Sequence, residues 1–279
     1  MLGLVLEGGA MRAIYTAGVL DVFMENGIQT DGLIGVSAGA IHGSVYLGNQ
    51  PGRTIRYYKK YCGYWKFMSF RSMLLTGSLV GEQFCYHDLP DRLDPFDYET
   101  FKNSKTAYYA VCTDLETGEP VYQRCTDLRN EMDYMLASAS MPYVSRIVER
   151  DGRKLLDGGV ADSIPVEAFR KMGYDRNIVV LTQCAGYEKK PQNPKLARLF
   201  YRNYPKFAEA LIHRHTAYNE TLRRIEALEQ SGEIFVIRPS ENLGIHRMEH
   251  DAARLEEQYN LGRRDAEACL SALKDWMKQ

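Results

Sequence analysis

The first 48 residues repeat one unit twice: a short apolar strand, a small-residue turn and a helix-compatible segment. No other feature of the chain narrows the fold as much. Leu2–Leu6 reads as a strand, Gly8-Gly9 as a turn and Met11–Asn26 as a helix. Ile14, Ala17, Leu20, Phe23 and Met24 recur there at helical spacing, and Asn26-Gly27 is a stop signal. Leu33–Val36 is the second strand, Ser37 its turn, and a small-residue helix runs on to about Leu47. Two such units in succession predict parallel strands in a covered α/β sheet.

Further strands are expected at Ala107–Thr113, Pro120–Gln123 and Ile178–Thr182. Beyond Gly186 the composition changes. Lys189 to Pro205 carries three prolines among basic residues and reads as a connection. The helix after it bears Phe207, Leu211, Tyr218, Leu222, Ile225 and Leu228 on one stripe. Ile234–Ile237 is expected as a strand, and Asp251–Met277 as one or two helices. The division expected is 1–190 for the main domain and 191–279 for a mostly helical accessory region with one strand.

Composition removes several classes. A formal net charge of −1 gives no basis for nucleic-acid binding. No apolar run approaches the ~20 residues of a membrane span. Leu2–Leu6 stops at Glu7 with no basic segment before it, so it reads as a strand and not a signal peptide. Six cysteines lie far apart without a CxxC pair, which predicts reduced thiols, no metal site and a cytoplasmic location.

Chemistry is concentrated in three turns. Gly35-Val36-Ser37-Ala38-Gly39 is a GxSxG pentapeptide between a strand and a helix. Such a sharp turn projects the serine hydroxyl and points the next amide at a developing oxyanion. The bland alternative is a helix N-cap. Gly8-Gly9-Ala10-Met11-Arg12 opens the preceding helix, where free backbone amides attract an anion; the alternative is a tight turn alone. Neither GxGxxG nor GK[ST] is present, which argues against nucleotide phosphates. Asp157-Gly158-Gly159 follows Lys154-Leu155-Leu156 and by itself is an ordinary turn. None of the six histidines sits in a Gly-rich turn after an apolar strand. His42, five residues beyond Ser37 on the next helix, points away from it. An aspartate acting directly on the serine is the more economical base.

These three motifs, in this order, resemble the patatin-like phospholipase family. Ser138-Ala139-Ser140-Met141-Pro142 is similar to that family's small-residue segment before the aspartate. The resemblance covers about residues 2–185. Arg238-Pro239-Ser240 and Asp251–Ala266 resemble the accessory region of a bacterial branch. The family usually has glycine where this chain has Ala10.

The resemblance implies a three-layer α/β/α fold with a mainly parallel sheet, joined here by an α-rich C-terminal region. It implies a lipid acyl hydrolase with Ser37 as nucleophile and Asp157 as general base. Gly8, Gly9, Ala10 and Ala38 would supply oxyanion amides. Arg12, Gly35, Gly39, Gly158 and Gly159 would support them, with no cofactor. A lipid ester is the expected partner.

Residues 32–81 contain no acidic side chain. Arg53, Arg56, Lys59, Lys60, Lys66 and Arg71 alternate there with Tyr57, Tyr58, Tyr61, Tyr64, Trp65, Phe67 and Phe70. Two readings stay open for residues 53–71: peripheral contact with the inner membrane face, or an amphipathic helix whose rings are core. Among functions, an acyltransferase or thioesterase on the same dyad and a non-catalytic lipid-binding module remain alternatives. A Ser-Asp-His α/β-hydrolase fits poorly, because only 36 residues precede Ser37.

Overall fold

The computed structural model describes residues 1–279. Its strands are β1 (Leu2–Leu6), β2 (Gly32–Val36), β3 (Ala107–Asp114), β4 (Pro120–Cys125), β5 (Val148–Arg150), β6 (Arg153–Asp157), β7 (Arg176–Val180) and β8 (Ile234–Ile237). Its α-helices are α1 (Ile14–Glu25), α2 (Ala38–Leu47), α3 (Arg53–Tyr61), α4 (Phe70–Thr76), α5 (Tyr98–Lys102), α6 (Leu128–Ser138), α7 (Val166–Lys171), α8 (Pro194–Phe200), α9 (Pro205–Gln230) and α10 (Ala252–Met277). A wide π-helical stretch spans Phe84–Leu93, and short 3-10 turns open α1 and follow β6.

All eight strands join one sheet, ordered β5-β6-β3-β2-β1-β7-β8 with β4 beside β3. The neighbours of β1 and β2 are all parallel, as is the β7–β8 pair. β4, β5 and β6 pair antiparallel. Alternation along β1 sorts the layers. Leu4 and Leu6 enter the core formed with α1, α2, α6 and α10, while Val5 enters the core on the opposite face with α7 and α9. The chain is therefore a three-layer α/β/α protein.

One detail of register decides where the chemistry lies. β4 occupies one edge of β3 from Tyr108 to Thr113, so β2 and β6 must share the other. β2 pairs along it as far as Val36–Val111, and β6 takes over at Asp157–Cys112. The ends of β2 and β6 thus meet at successive positions of a single strand.

Some expected boundaries move. The segment 189–205, expected as a connection, holds α8. The third central strand starts at Arg176 and ends at Val180, before Thr182. Asp251–Met277 is a single capped helix, with the Asp251 carboxylate accepting from the amides of Ala253 and Arg254. Residues beyond 190 share the core of those before them. β8 extends the sheet from β7, and α10 crosses α1 so closely that a Cβ on Gly18 would fall 2.1 Å from the Tyr259 carbonyl oxygen.

Candidate active site

Ser37 leaves β2 with φ 56° and ψ −126°, a strained conformation for a residue with a side chain. Such strain costs roughly 1–3 kcal/mol and persists only where neighbours enforce it. Here the Ser37 N–H donates to the Ser138 hydroxyl at 2.9 Å, α2 begins at the next residue, and β2 is locked between β1 and β3. Gly35 and Gly39 lie on either side, in β2 and the first turn of α2.

The first glycine turn packs directly against this elbow. A Cβ on Gly8 would stand 3.0 Å from the Ser37 Cβ and 2.9 Å from the Val36 carbonyl oxygen, so only glycine lets the turns touch. The N–H groups of Gly8 and Gly9 enter no hydrogen bond within the chain. The Ala38 N–H, first in α2, has no partner within its own helix. Ala10 adopts φ 49°, a left-handed conformation that costs an alanine about 1–2 kcal/mol. Glycine takes it freely, which gives a physical reason for the residue usual at this position.

Asp157 ends β6 beside Ser37. Its carboxylate accepts from the Gly159 N–H at 2.7 Å, its N–H donates to the Ser140 carbonyl at 2.9 Å, and its own carbonyl accepts from the Thr113 hydroxyl. Gly158 and Gly159 form the tight turn behind it. Burial raises the Asp157 pKa above the ordinary carboxylate range, while Arg214, the Gly159 N–H, the Ser37 hydroxyl and Arg247 pull it back.

Two cavities meet at Ser37. The first, about 120 Å³, is lined by 23 residues of which 19 are hydrophobic, including Ile41, Val45, Leu89 and Met135. The second, about 530 Å³, also touches Gly8, Gly9, Ala10 and Asp157, and is walled by Arg12, Lys189, Arg214 and Arg247. Arg12 therefore contributes charge to this space rather than bracing the loop through a hydrogen bond. No histidine lines either cavity. His42 is buried against Tyr58, its pKa pushed down to about 3 by burial, with both ring nitrogens unpartnered.

The basic aromatic stretch divides between its two readings. Tyr57, Tyr58 and Phe67 are buried and line the apolar cavity. Arg53 and Arg56 pair with Asp94, and Lys59 pairs with Glu256. Phe70 is exposed, and α4 continues with Leu74 85% and Leu75 65% exposed. The sequence reading gave no role to three contributors. Ser138 and Ser140 hold Ser37 and Asp157, and Arg214 lies on a helix whose apolar stripe drew attention away from its polar face.

Comparison with known proteins makes the chain a lipid ester hydrolase. The chain belongs to the patatin-like phospholipase family, whose family model matches residues 4–170. Residues 204–278 match a separate domain family of unknown function, DUF6363. Uncharacterized protein YjjU of Escherichia coli K12 is 28% identical over 94% of this chain and 75% of its own length. Lysophospholipase NTE1 of Saccharomyces cerevisiae is 26% identical over 62% of this chain, and a patatin-like phospholipase domain-containing protein of Caenorhabditis elegans is 27% identical over 62%. The matched regions span only 10% and 13% of those two longer proteins. Among solved structures, VipD from Legionella pneumophila aligns over 95% of this chain and 66% of its own, at a TM-score of 0.42 and 11% identity. No helix is long and apolar enough to cross a membrane.

Proposed function

We propose that the protein hydrolyses carboxylic esters of phospholipids, lysophospholipids or acylglycerols through a Ser37–Asp157 dyad. One observation carries this reading: a strained serine stands between a buried carboxylate and two unpaired glycine amides, where an apolar cavity meets a polar one. Asp157 takes the Ser37 hydroxyl proton as Oγ bonds to the ester carbonyl carbon. The amides of Gly8, Gly9, Ala10 and Ala38 stabilise the tetrahedral oxyanion. Its collapse breaks the C–O ester bond, and the leaving alcohol takes the proton from Asp157. Water then gives a proton to Asp157 as it bonds to the acyl carbon; the Oγ–acyl bond breaks, Asp157 returns the proton to the Ser37 oxygen, and the fatty acid leaves.

A fluorophosphonate probe tests this directly. Label should map to Ser37, and Ser37→Ala should lose ester hydrolysis while keeping its melting temperature. Label on another serine, or activity in the alanine variant, would sink the proposal.

Membrane contact belongs to the same reading, with its location moved along the chain. Phe70 of α4 and Tyr143 both line the polar cavity, and the Tyr143 ring meets that of Phe200 on α8 at 5.2 Å. Leu74, Leu75, Leu199 and Phe200 are exposed on these two helices and suit peripheral contact with a bilayer. The scattered thiols support a cytoplasmic enzyme. Residues 191–279 are proposed as an accessory unit built onto the shared sheet.

A further inference from the structure

The polar cavity holds more positive charge than the chemistry at Ser37 requires. Arg12, Lys189, Lys190, Arg214 and Arg247 line it, against only Asp157 and Glu188 among acidic residues. They come from four places: the turn after Gly9, the loop after β7, α9, and the loop between β8 and α10. None of the five enters an ion pair, whereas Arg53, Arg150, Arg238, Arg254 and Arg263 all do. The Nε groups of Arg12 and Arg214 are shut away from solvent without an acceptor. The Arg214 Nη2 lies 2.9 Å from where a Cβ on Gly159 would begin, which sets it beside the Asp157 turn.

These charges face one another. Arg247 disfavours the charge on Arg12, Arg214 and Lys189, while Glu7 favours all three. Burial first, then Arg214, push the Lys189 pKa down to about 7, although its ammonium sits 3.9 Å from the centre of the Tyr218 ring. The fold nevertheless holds the cluster firmly. Asn219 clips the Lys189 backbone to α9 through both its N–H and its carbonyl, and the Tyr218 hydroxyl donates to Glu7 at the end of β1. A mutually repelling set of donors with unfilled hydrogen bonds is the complement of an anion.

Position identifies the anion. The apolar cavity suits the acyl chain, so the alcohol side of the ester faces the cationic cavity. In a glycerophospholipid, the phosphate lies on that alcohol side. A headgroup ending in an ammonium would meet Arg12, Lys190, Arg214 and Arg247 there, beside a Lys189 that is only partly charged near neutral pH. We propose that this cavity is a headgroup site, selecting lipid esters whose phosphate headgroup has no positive end over those carrying choline or ethanolamine. The assignment rests on Ser37 acting as the ester-cleaving nucleophile. Free phosphate shares the chemistry, and the test separates the two.

The experiment uses short-chain lipids below their critical micelle concentration, so that surface charge plays no part. With one acyl chain throughout, kcat/KM is measured for phosphate, phosphoglycerol and phosphocholine headgroups and for a neutral acylglycerol. The first two should exceed phosphocholine by at least about tenfold, since charge-assisted hydrogen bonds are the strong ones. Inorganic phosphate should compete with them. Arg247→Glu with Lys190→Glu should bring the ratio close to one. Hydrolysis at equal kcat/KM for all headgroups would overturn the headgroup site and leave the hydrolase standing. Inhibition by phosphate without any headgroup preference would also overturn it, by assigning the cavity to a free anion. Hydrolysis of none of them would defeat the dyad reading itself. If the double variant does not fold, the wild-type ratio alone decides.

Discussion

The two cavities that meet at Ser37 are built from different parts of the chain. Every residue lining the apolar one lies between Ala10 and Met141, inside the stretch that matches the patatin-like family. The cationic one takes Gly8, Gly9, Ser37 and Asp157 from that stretch but draws Lys189, Lys190, Arg214 and Arg247 from beyond it. The apolar wall thus comes from the patatin-like stretch, while four of the five cations of the other cavity come from beyond it, Arg214 and Arg247 from the stretch that matches DUF6363. Two proteins sharing the dyad can hold acyl chains alike and still differ in the headgroup they admit.

The largest test of this division removes the group common to both halves of the reaction. Asp157→Asn should lower kcat by about 10²–10⁴ on every ester, as removal of a general base does. A loss confined to one headgroup class would break the comparison, because Asp157 would then serve recognition. The pH profile sharpens it. Burial raises the Asp157 pKa, so activity should be present above that raised value and vanish as pH falls through it. The same raised pKa makes the folded state bind more protons than the unfolded one, so its contribution to stability falls as pH rises through the window. Asp157→Asn should therefore raise the melting temperature at neutral pH while lowering turnover by that factor. An unchanged or lowered melting temperature would count against a buried, ionised base.

A smaller effect separates the cavities. Val45 lies two turns along α2 from Ala38, about 10 Å down the apolar cavity at the helical rise. Val45→Phe should reduce turnover of long-chain esters about tenfold relative to butyrate esters. Headgroup ratios should not follow. Equal losses for short and long chains would mean general overpacking instead of a shortened pocket.

The mildest test concerns the rim. Leu74→Ala removes exposed apolar surface from α4 and should weaken vesicle binding by about fivefold, since such a side chain is only partly immersed in the interface. Binding equal to wild type would leave α4 outside the membrane contact.

Much of this molecule could be read from its residues. β1, β2 and β8 follow from short apolar runs, α2 from the small residues after such a run, and the long α9 from its apolar stripe. Ser37 and Gly8-Gly9 stood out as turns forced between such elements. Asp157 was legible only by association with them, since Asp-Gly turns are common. The handover from β2 to β6 along β3 was not legible, because strand register depends on partners distant in sequence. The aromatics after Arg53 were ambiguous for a different reason. Tyr57 and Tyr58 are apolar bodies with polar tips, suited equally to an interface or to a pocket wall, and only their neighbours decide. The cationic cavity was invisible because its residues lie in four segments distant in sequence, and the basic stretch opening at Lys189 gave no sign of the charges it would meet.

The two anchors of the proposed dyad have a mechanical consequence. Ser37 and Asp157 are 120 positions apart in the chain, yet the amide of one is tethered to the Ser138 hydroxyl and the amide of the other to the Ser140 carbonyl. A three-residue peptide at the end of α6 thus acts as a ruler for both. Shear of β2 against β3 cannot change their separation without breaking one of these tethers. Any displacement of α6 would therefore act on Ser37 and Asp157 together, while the pairing of β1 with β2 holds Ser37 against the glycine turn.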